Sequence, residues 1–146
     1  QNPLFDLTAG AEASPTRALL LVDLDDFKQI NDNLGHAQGD QCLKEAAQRL
    51  TACCPQTALV ARIGGDEFAV LLDASQRPAD VAALAETIVA AVGAPFTCDG
   101  QDIKLSASVG VAYQDDGTAD DLFARADMAL YAAKAAGRST SRTYAY

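Results

Sequence analysis

Basic residues are scarce in this chain and nowhere form a block. Eleven lysines and arginines stand against 20 aspartates and glutamates, a formal net charge of −9 over 146 residues. A field of that sign repels a phosphodiester backbone, so polymeric DNA or RNA is not an expected partner. A metal ion and a few placed cations can still hold a nucleotide locally. Histidine is limited to His36, and the four cysteines (Cys42, Cys53, Cys54 and Cys98) contain no C-x-x-C pair. A zinc site is therefore poorly supported, and reduced thiols are the simplest reading. No apolar run approaches the length of a bilayer span, and the opening "QNPLFDLTAG" has no basic-then-apolar signal pattern. These absences favour a soluble, cytoplasmic piece, with a membrane-anchored parent protein left open. Internal repeats, low-complexity tracts and interior linkers are missing as well.

What is present has an ordinary globular balance, 49% apolar and 21% charged, sufficient for one domain with a real core. The expected organisation is a single domain over residues 1–146, with an irregular lead over 1–16 and the core over 17–146. "RALLLVDL" (17–24) is a short apolar run ending in acids, as in a buried strand whose C-terminal end opens to solvent. "DDFKQIND" has helical character. Leu43, Ala46, Ala47 and Leu50 then mark one face of a helix that Pro55 stops. "TALVARI" (57–63) and "EFAVLLD" (67–73) read as two strands around a glycine turn. Val81, Leu84, Ala85, Ile88, Val89 and Val92 mark a further helix after Pro78. Strict alternation over 103–113 predicts one strand with one buried face. "TADDLFARADMALYAAKAAG" (118–137) is a helix with Thr118 as N-cap and Gly137 as stop. A last short strand is expected in "RTYAY". Two strands joined by a tight turn are antiparallel, so the fold class is α/β (α+β), a mainly antiparallel sheet flanked by helices.

"ARIGGDEFAVLL" (61–72) carries the sharpest signal. Gly64-Gly65 between strands is a hairpin sequence, with glycine expected to supply the positive φ of a tight turn. Taken alone, the tetrapeptide is explained by turn chemistry with two solvated acids. The segment "VDLDDF" alters that balance, because it ends another core strand with Asp23 and Asp25. Carboxylates gathered from two strand ends repel one another unless a cation joins them, and oxygen-rich Mg²⁺ sites are assembled in this way.

"LLLVDLDDFKQINDNLGHAQGDQCL", "ARIGGDEFAVLL", "SASVGVA" and "ADMALYAAKAAGRS" together resemble the GGDEF family, the diguanylate cyclases, from about Arg17 to Arg138. Four motifs in order and spacing are far more specific than one. The resemblance implies a fold like the nucleotide-cyclase and polymerase palm, and condensation of two GTP molecules into cyclic di-GMP with release of pyrophosphate. It also implies a homodimer, since each domain holds one GTP, and Mg²⁺ (or Mn²⁺), two per GTP. By position, Asp23, the carbonyl of Leu24, Asp66 and Glu67 match the metal site. Asp66, Glu67 and Lys28 match the catalytic positions. For Asp66 and Glu67 two roles stay open, metal ligand or general base toward the 3′-hydroxyl. Asn31 and Asp40 match the guanine-reading residues; a carboxylate can accept from N1–H and N2–H₂ together, a donor pair that adenine lacks. Phe27, Lys28, Gly65, Lys134 and Arg138 match substrate- or phosphate-binding positions, and His36 either lines the guanine pocket or is structural. Each also has an ordinary explanation: turn chemistry for Asn31 and Asp40, dipole complementation at a helix end for Lys134 and Arg138.

Two departures from the family pattern stand out. The usual "D-x-L-T-G-L-x-N-R" opening and long first helix are reduced to Asp6, Leu7 and Thr8 in "FDLTAGAEASPTRALLL". The stretch "PQTA" (55–58) lacks both charges of the R-x-x-D product-inhibition site, so inhibition by that route is not expected. Tight cyclic di-GMP binding abolished by substitutions at 55–58 would contradict this. "APFTCDGQDIKLSASVGVA" resembles GGDEF domains in tandem with EAL domains. That keeps open a non-catalytic GTP-binding module regulating a linked phosphodiesterase or sensor domain. An acidic interaction domain without nucleotide is a third alternative, and it leaves the motif register unexplained.

Overall fold

The computed structural model describes residues 17–114 and 118–145. The opening stretch with Asp6, Leu7 and Thr8 lies outside the described residues. In chain order the elements are β1 (Ala18–Leu24), α1 (Phe27–Leu34), α2 (His36–Cys53), β2 (Leu59–Arg62) and β3 (Glu67–Leu72). There follow α3 (Pro78–Val92), β4 (Phe96–Cys98), β5 (Gln101–Ile103), β6 (Ala107–Tyr113), α4 (Ala119–Ala135) and β7 (Ser141–Thr143). Five strands form one sheet in the order β2-β3-β1-β6-β7, and β4-β5 form a separate hairpin. All pairings in the main sheet are antiparallel except β6 with β7. This is the mainly antiparallel, helix-flanked architecture expected from the sequence.

β1 is the centre of the sheet, and each of its residues is buried. Its alternating side chains feed two cores. Leu20, Val22 and Leu24 pack with Phe68, Val70 and Leu72 of β3 and with the apolar faces of α2 and α3. Leu19 and Leu21 face the other way, against Leu122, Ala126 and Leu130 of α4. The helical periodicities hold: Leu43, Ala46 and Leu50 are buried on α2, and Val81, Ala85, Ile88 and Val92 on α3. Thr118 caps α4 in a full capping box with Asp121. Arg49 of α2 donates to the carbonyls of Ala91 and Val92 at 3.1 and 3.2 Å, so a guanidinium adds charge-assisted hydrogen bonds to the last carbonyls of α3.

The structure corrects the sequence reading in three places. Residues 103–113 are not one strand. Ile103 belongs to the β4-β5 hairpin, the ladder breaks at 104–106, and β6 begins at Ala107. Burial nevertheless alternates through the break at Ile103, Leu105 and Ala107, which is why the period of two extends beyond the strand itself. Nor does β6 have one buried face. Ser108, Gly110 and Ala112 are also buried, because small residues there receive α4 rather than solvent. The β4-β5 hairpin was detectable in "CDGQ": Asp99 and Gly100 both have positive φ, as a two-residue turn requires. Third, Gly64 and Gly65 are not among the positive-φ residues. Their turn spans four residues, 63–66, and needs no left-handed backbone. β7 runs Ser141–Thr143, slightly before the expected "RTYAY".

α4 covers β1 and β6 but stops short of the β2 edge, where Leu59 is 63% and Ile63 44% exposed. Among the described residues no helix is long and apolar enough to cross a membrane.

β6 and α4 approach each other closely at Gly110. A Cβ on Gly110 would lie 2.2 Å from the Leu130 nitrogen and 2.3 Å from the Ala126 oxygen. Both obstacles are helix backbone and cannot rotate aside. Gly110→Ala should therefore cost about 3 kcal/mol of stability, read as a lower urea midpoint with an unchanged m-value.

Candidate active site

The site sits where the C-terminal end of β1 meets the β2-β3 turn. Antiparallel register places Asp23 opposite Glu67, and the Leu24 N–H donates to the Asp66 carbonyl at 3.0 Å. Both acid segments are thus held by main-chain bonds, independent of any side-chain attraction. The turn itself is tied by Arg62, whose guanidinium donates to the carbonyls of Gly64 (3.0 Å) and Gly65 (2.8 and 3.1 Å). The Ile63 and Gly64 N–H groups donate to the Glu67 carbonyl. A Cβ on Gly65 would meet nothing within 4 Å. Glycine's contribution at that position is an open wall beside the cleft rather than an unusual φ.

That cleft, about 330 Å³, is lined by Phe27, Lys28, Asn31, Asp40, Leu43, Arg62, Gly65 and Asp66. It adjoins a groove of about 470 Å³ between α2 and β2 that shares Asp40, Leu43 and Arg62. Most of the expected nucleotide residues therefore share one concave surface. Phe27 is buried beneath it and Lys28 is exposed at its rim. Gly39 sets the position of Asn31: a Cβ there would stand 1.7 Å from the Asn31 Oδ1. The Asn31 amide thus occupies the space that a side chain at residue 39 would fill. His36 is exposed in the first turn of α2 and is not among the residues lining the cleft.

The carboxylate side faces α4. Lys134 forms an ion pair with Asp23 Oδ2, while Asp23 Oδ1 is buried and has no hydrogen-bond partner among the described residues. Burial pushes the Asp23 carboxyl upward; the Lys134 bond opposes this, and neighbouring Asp66 adds to it. Glu67 is also raised, first by burial and then by the charges of Asp23 and Asp127, with Lys134 opposing. Lys134 is therefore engaged with a carboxylate rather than standing free. Arg138 lies 4.0 Å from Asp26 in a largely exposed pair, and both residues have left-handed backbone.

Asp25 has a different role from its neighbour. It is 6% exposed and accepts from the hydroxyls of Ser106 and Ser108 and from the Ser139 N–H. One carboxylate thus joins the end of β1, the start of β6 and the turn after α4. Sequence reading missed this, and also missed Arg62, Gly39 and Asp127. A charge at the end of an apolar strand marked Arg62, and a glycine inside a helical stretch marked Gly39; nothing local distinguished the fastening role of Asp25 from that of Asp23.

Among the described residues no three His, Cys, Asp or Glu side chains form a group that could hold a metal ion by themselves. Asp23 and Asp66, with the Leu24 carbonyl nearby in the chain, could supply part of an Mg²⁺ shell. Such ions commonly take one or two carboxylates and complete the shell with water and phosphate oxygens. The orphaned Asp23 oxygen fits that use.

The repulsion around Glu67 has a measurable consequence. An acid with a raised folded-state pKa binds its proton more tightly when folded. Its stabilising contribution is full in acid and declines as pH climbs through the raised value. Glu67→Gln should therefore raise the melting temperature at neutral pH and show little gain near pH 4; equal gains at both pH values would refute this.

Comparison with known proteins agrees with this geometry. A family model described as "Diguanylate cyclase, GGDEF domain" matches residues 7–140. The chain is 44% identical over 124 residues to the bifunctional diguanylate cyclase/cyclic di-GMP phosphodiesterase MucR of Pseudomonas aeruginosa, covering 84% of this chain and 18% of MucR. It is 42% identical over 128 residues to the diguanylate cyclase TpbB of the same species, covering 86% of this chain and 29% of TpbB. The crystal structure of the TpbB GGDEF domain superposes with a TM-score of 0.85 at 40% identity, over 90% of this chain and 84% of that one. The chain thus spans less than a third of the length of these two curated relatives. With the motifs in register, the cleft and the sheet order in place, this chain belongs to the GGDEF domain family of diguanylate cyclases.

Proposed function

We propose that this domain condenses two GTP molecules into cyclic di-GMP, working as a homodimer with Mg²⁺. The observation that carries the reading is the convergence of Asn31 and Asp40 with Asp66 on one cleft, beside the buried Asp23. Asp40 accepts from the guanine N1–H and N2–H₂ while the Asn31 amide pairs with the remaining edge, which selects guanine over adenine. Lys28 and the first N–H groups of α1 hold phosphate oxygens. Asp23 and Asp66, with the Leu24 carbonyl, hold Mg²⁺. When bound, the metal stabilises charge on the attacking 3′-oxygen and on the leaving pyrophosphate.

In each half-reaction the 3′-oxygen of one GTP forms a bond to the α-phosphorus of the other. The α–β bridging bond breaks, and pyrophosphate carries away its electron pair. Glu67 receives the hydroxyl proton; its raised pKa brings it nearer the operating pH of a general base. Each domain supplies one nucleotide, so two domains must meet face to face.

A regulatory reading is favoured by one further relative. The cyclic di-GMP phosphodiesterase NbdA of Pseudomonas aeruginosa is 38% identical over 129 residues, covering 87% of this chain and 16% of NbdA. In that reading the domain binds GTP and controls a linked phosphodiesterase or sensor domain.

GTP turnover with Mg²⁺ separates the two, with cyclic di-GMP and pyrophosphate quantified beside an Asp66→Ala control. Product rising more steeply than linearly with protein concentration, and absent from the control, is expected. Saturable GTP binding without product would favour the regulatory reading. Gly39→Ala tests the guanine pocket: the helix should persist, since alanine is the better helix former. GTP affinity should nevertheless fall about tenfold as Asn31 is displaced, a loss comparable to that of one buried hydrogen bond.

A further inference from the structure

Asp23 has one oxygen on the Lys134 ammonium and one buried without a partner. Around it stand Asp66 and Glu67, with Asp127 acting on Glu67 from α4. Lys134 is the cation acting on both Asp23 and Glu67. Its side chain is 34% exposed, against 12% for that of Asp23. The carboxylate is thus enclosed in the scaffold, while the lysine reaches it on a flexible stem from a partly open position. An ammonium and a divalent cation both draw on the same carboxylate, and they repel each other when close.

We propose that Lys134 is the resident counter-ion of the site, which makes it bind a metal–nucleotide complex in preference to the metal alone. Before substrate arrives, Lys134 neutralises Asp23 and competes with any bare divalent ion for it. A triphosphate provides Lys134 with a second anionic partner, so the nucleotide releases Asp23 to the metal and the two ligands bind with positive coupling. The unpartnered Asp23 oxygen is buried, so its lone pairs become available to the ion as Lys134 moves aside. This inference rests on Asp23 being a metal carboxylate, as proposed above, and adds the residue that controls its loading.

The test is Mn²⁺ binding to the whole chain, followed by equilibrium dialysis as the manganese held on the protein side in excess of the dialysate, where free Mn²⁺ and its complex with any nucleotide are equal on both sides. It is run with and without a GTP analogue carrying a methylene in place of the α–β bridging oxygen. Native protein should bind bare Mn²⁺ weakly and tighten markedly with the analogue. Lys134→Met should bind bare Mn²⁺ roughly two- to fivefold more tightly, the range expected from removing a partly exposed ion pair, and should gain less from the analogue. Lys134→Arg keeps the charge and should retain the weak bare-metal affinity; Lys134→Gln serves if the methionine variant does not fold. Neutral variants that bind bare Mn²⁺ no more tightly than native protein, or that behave like Lys134→Arg, overturn the inference. Asp23→Asn separates the two levels. Loss of Mn²⁺ binding in the presence of the analogue keeps the metal assignment, whatever Lys134 does. Unchanged binding removes that assignment and this inference together.

Discussion

The antiparallel register of β1 against β3 places Asp23 opposite Glu67 at the mouth of the sheet, and the rest of the site depends on that constraint. Main-chain hydrogen bonds and two apolar cores hold the register, so the carboxylates are brought together although their charges oppose it. β1 can do this because it is covered on both faces. Leu20 and Val22 anchor one side, and Leu19 and Leu21 the other. A one-residue slip would exchange the two sets and turn Asp23 away from α4.

Opposing charges then shape what surrounds the strand ends. Asp25 is satisfied by two serine hydroxyls and a backbone N–H, so it serves as a structural fastener. Asp23, two residues earlier, is left with an unpartnered oxygen and a single lysine. Adjacent acids of the same segment therefore serve opposite purposes, one completing the scaffold and the other kept available for a ligand. Burial of Glu67, with the charges of Asp23 and Asp127 beside it, costs the domain stability at neutral pH. Left-handed backbone at Asp26 and Arg138 lies in the same region, as is common where a fold holds residues for function.

Much of this was legible in the sequence. A period of 3.6 placed α2 and α3, end signals placed α4, and short apolar runs beside acids and glycines placed β1 and β3, because burial leaves a local record in the order of residues. The motifs placed Asp23, Asn31, Asp40 and Asp66, four residues that the structure brings to one end of the sheet. Where the reading failed, burial and hydrogen bonding had parted company. Ile103 and Leu105 keep the alternation of β6 without sharing its ladder, and Gly64-Gly65 resembles a two-residue turn although four residues make the connection.

By itself the sequence determined the element types, the antiparallel strand pair around the glycines, and the family to which the chain belongs. Only the tertiary structure decided the partner of Lys134, the fastening by Asp25, the seating of Asn31 against Gly39 and the requirement for glycine at 110. The physical reason is distance along the chain. Periodicity and turn chemistry act within a few residues, whereas Lys134 meets Asp23 across 111 residues and Ser139 meets Asp25 across 114. Contacts of that kind exist only once the sheet and α4 have packed, and no local pattern encodes them.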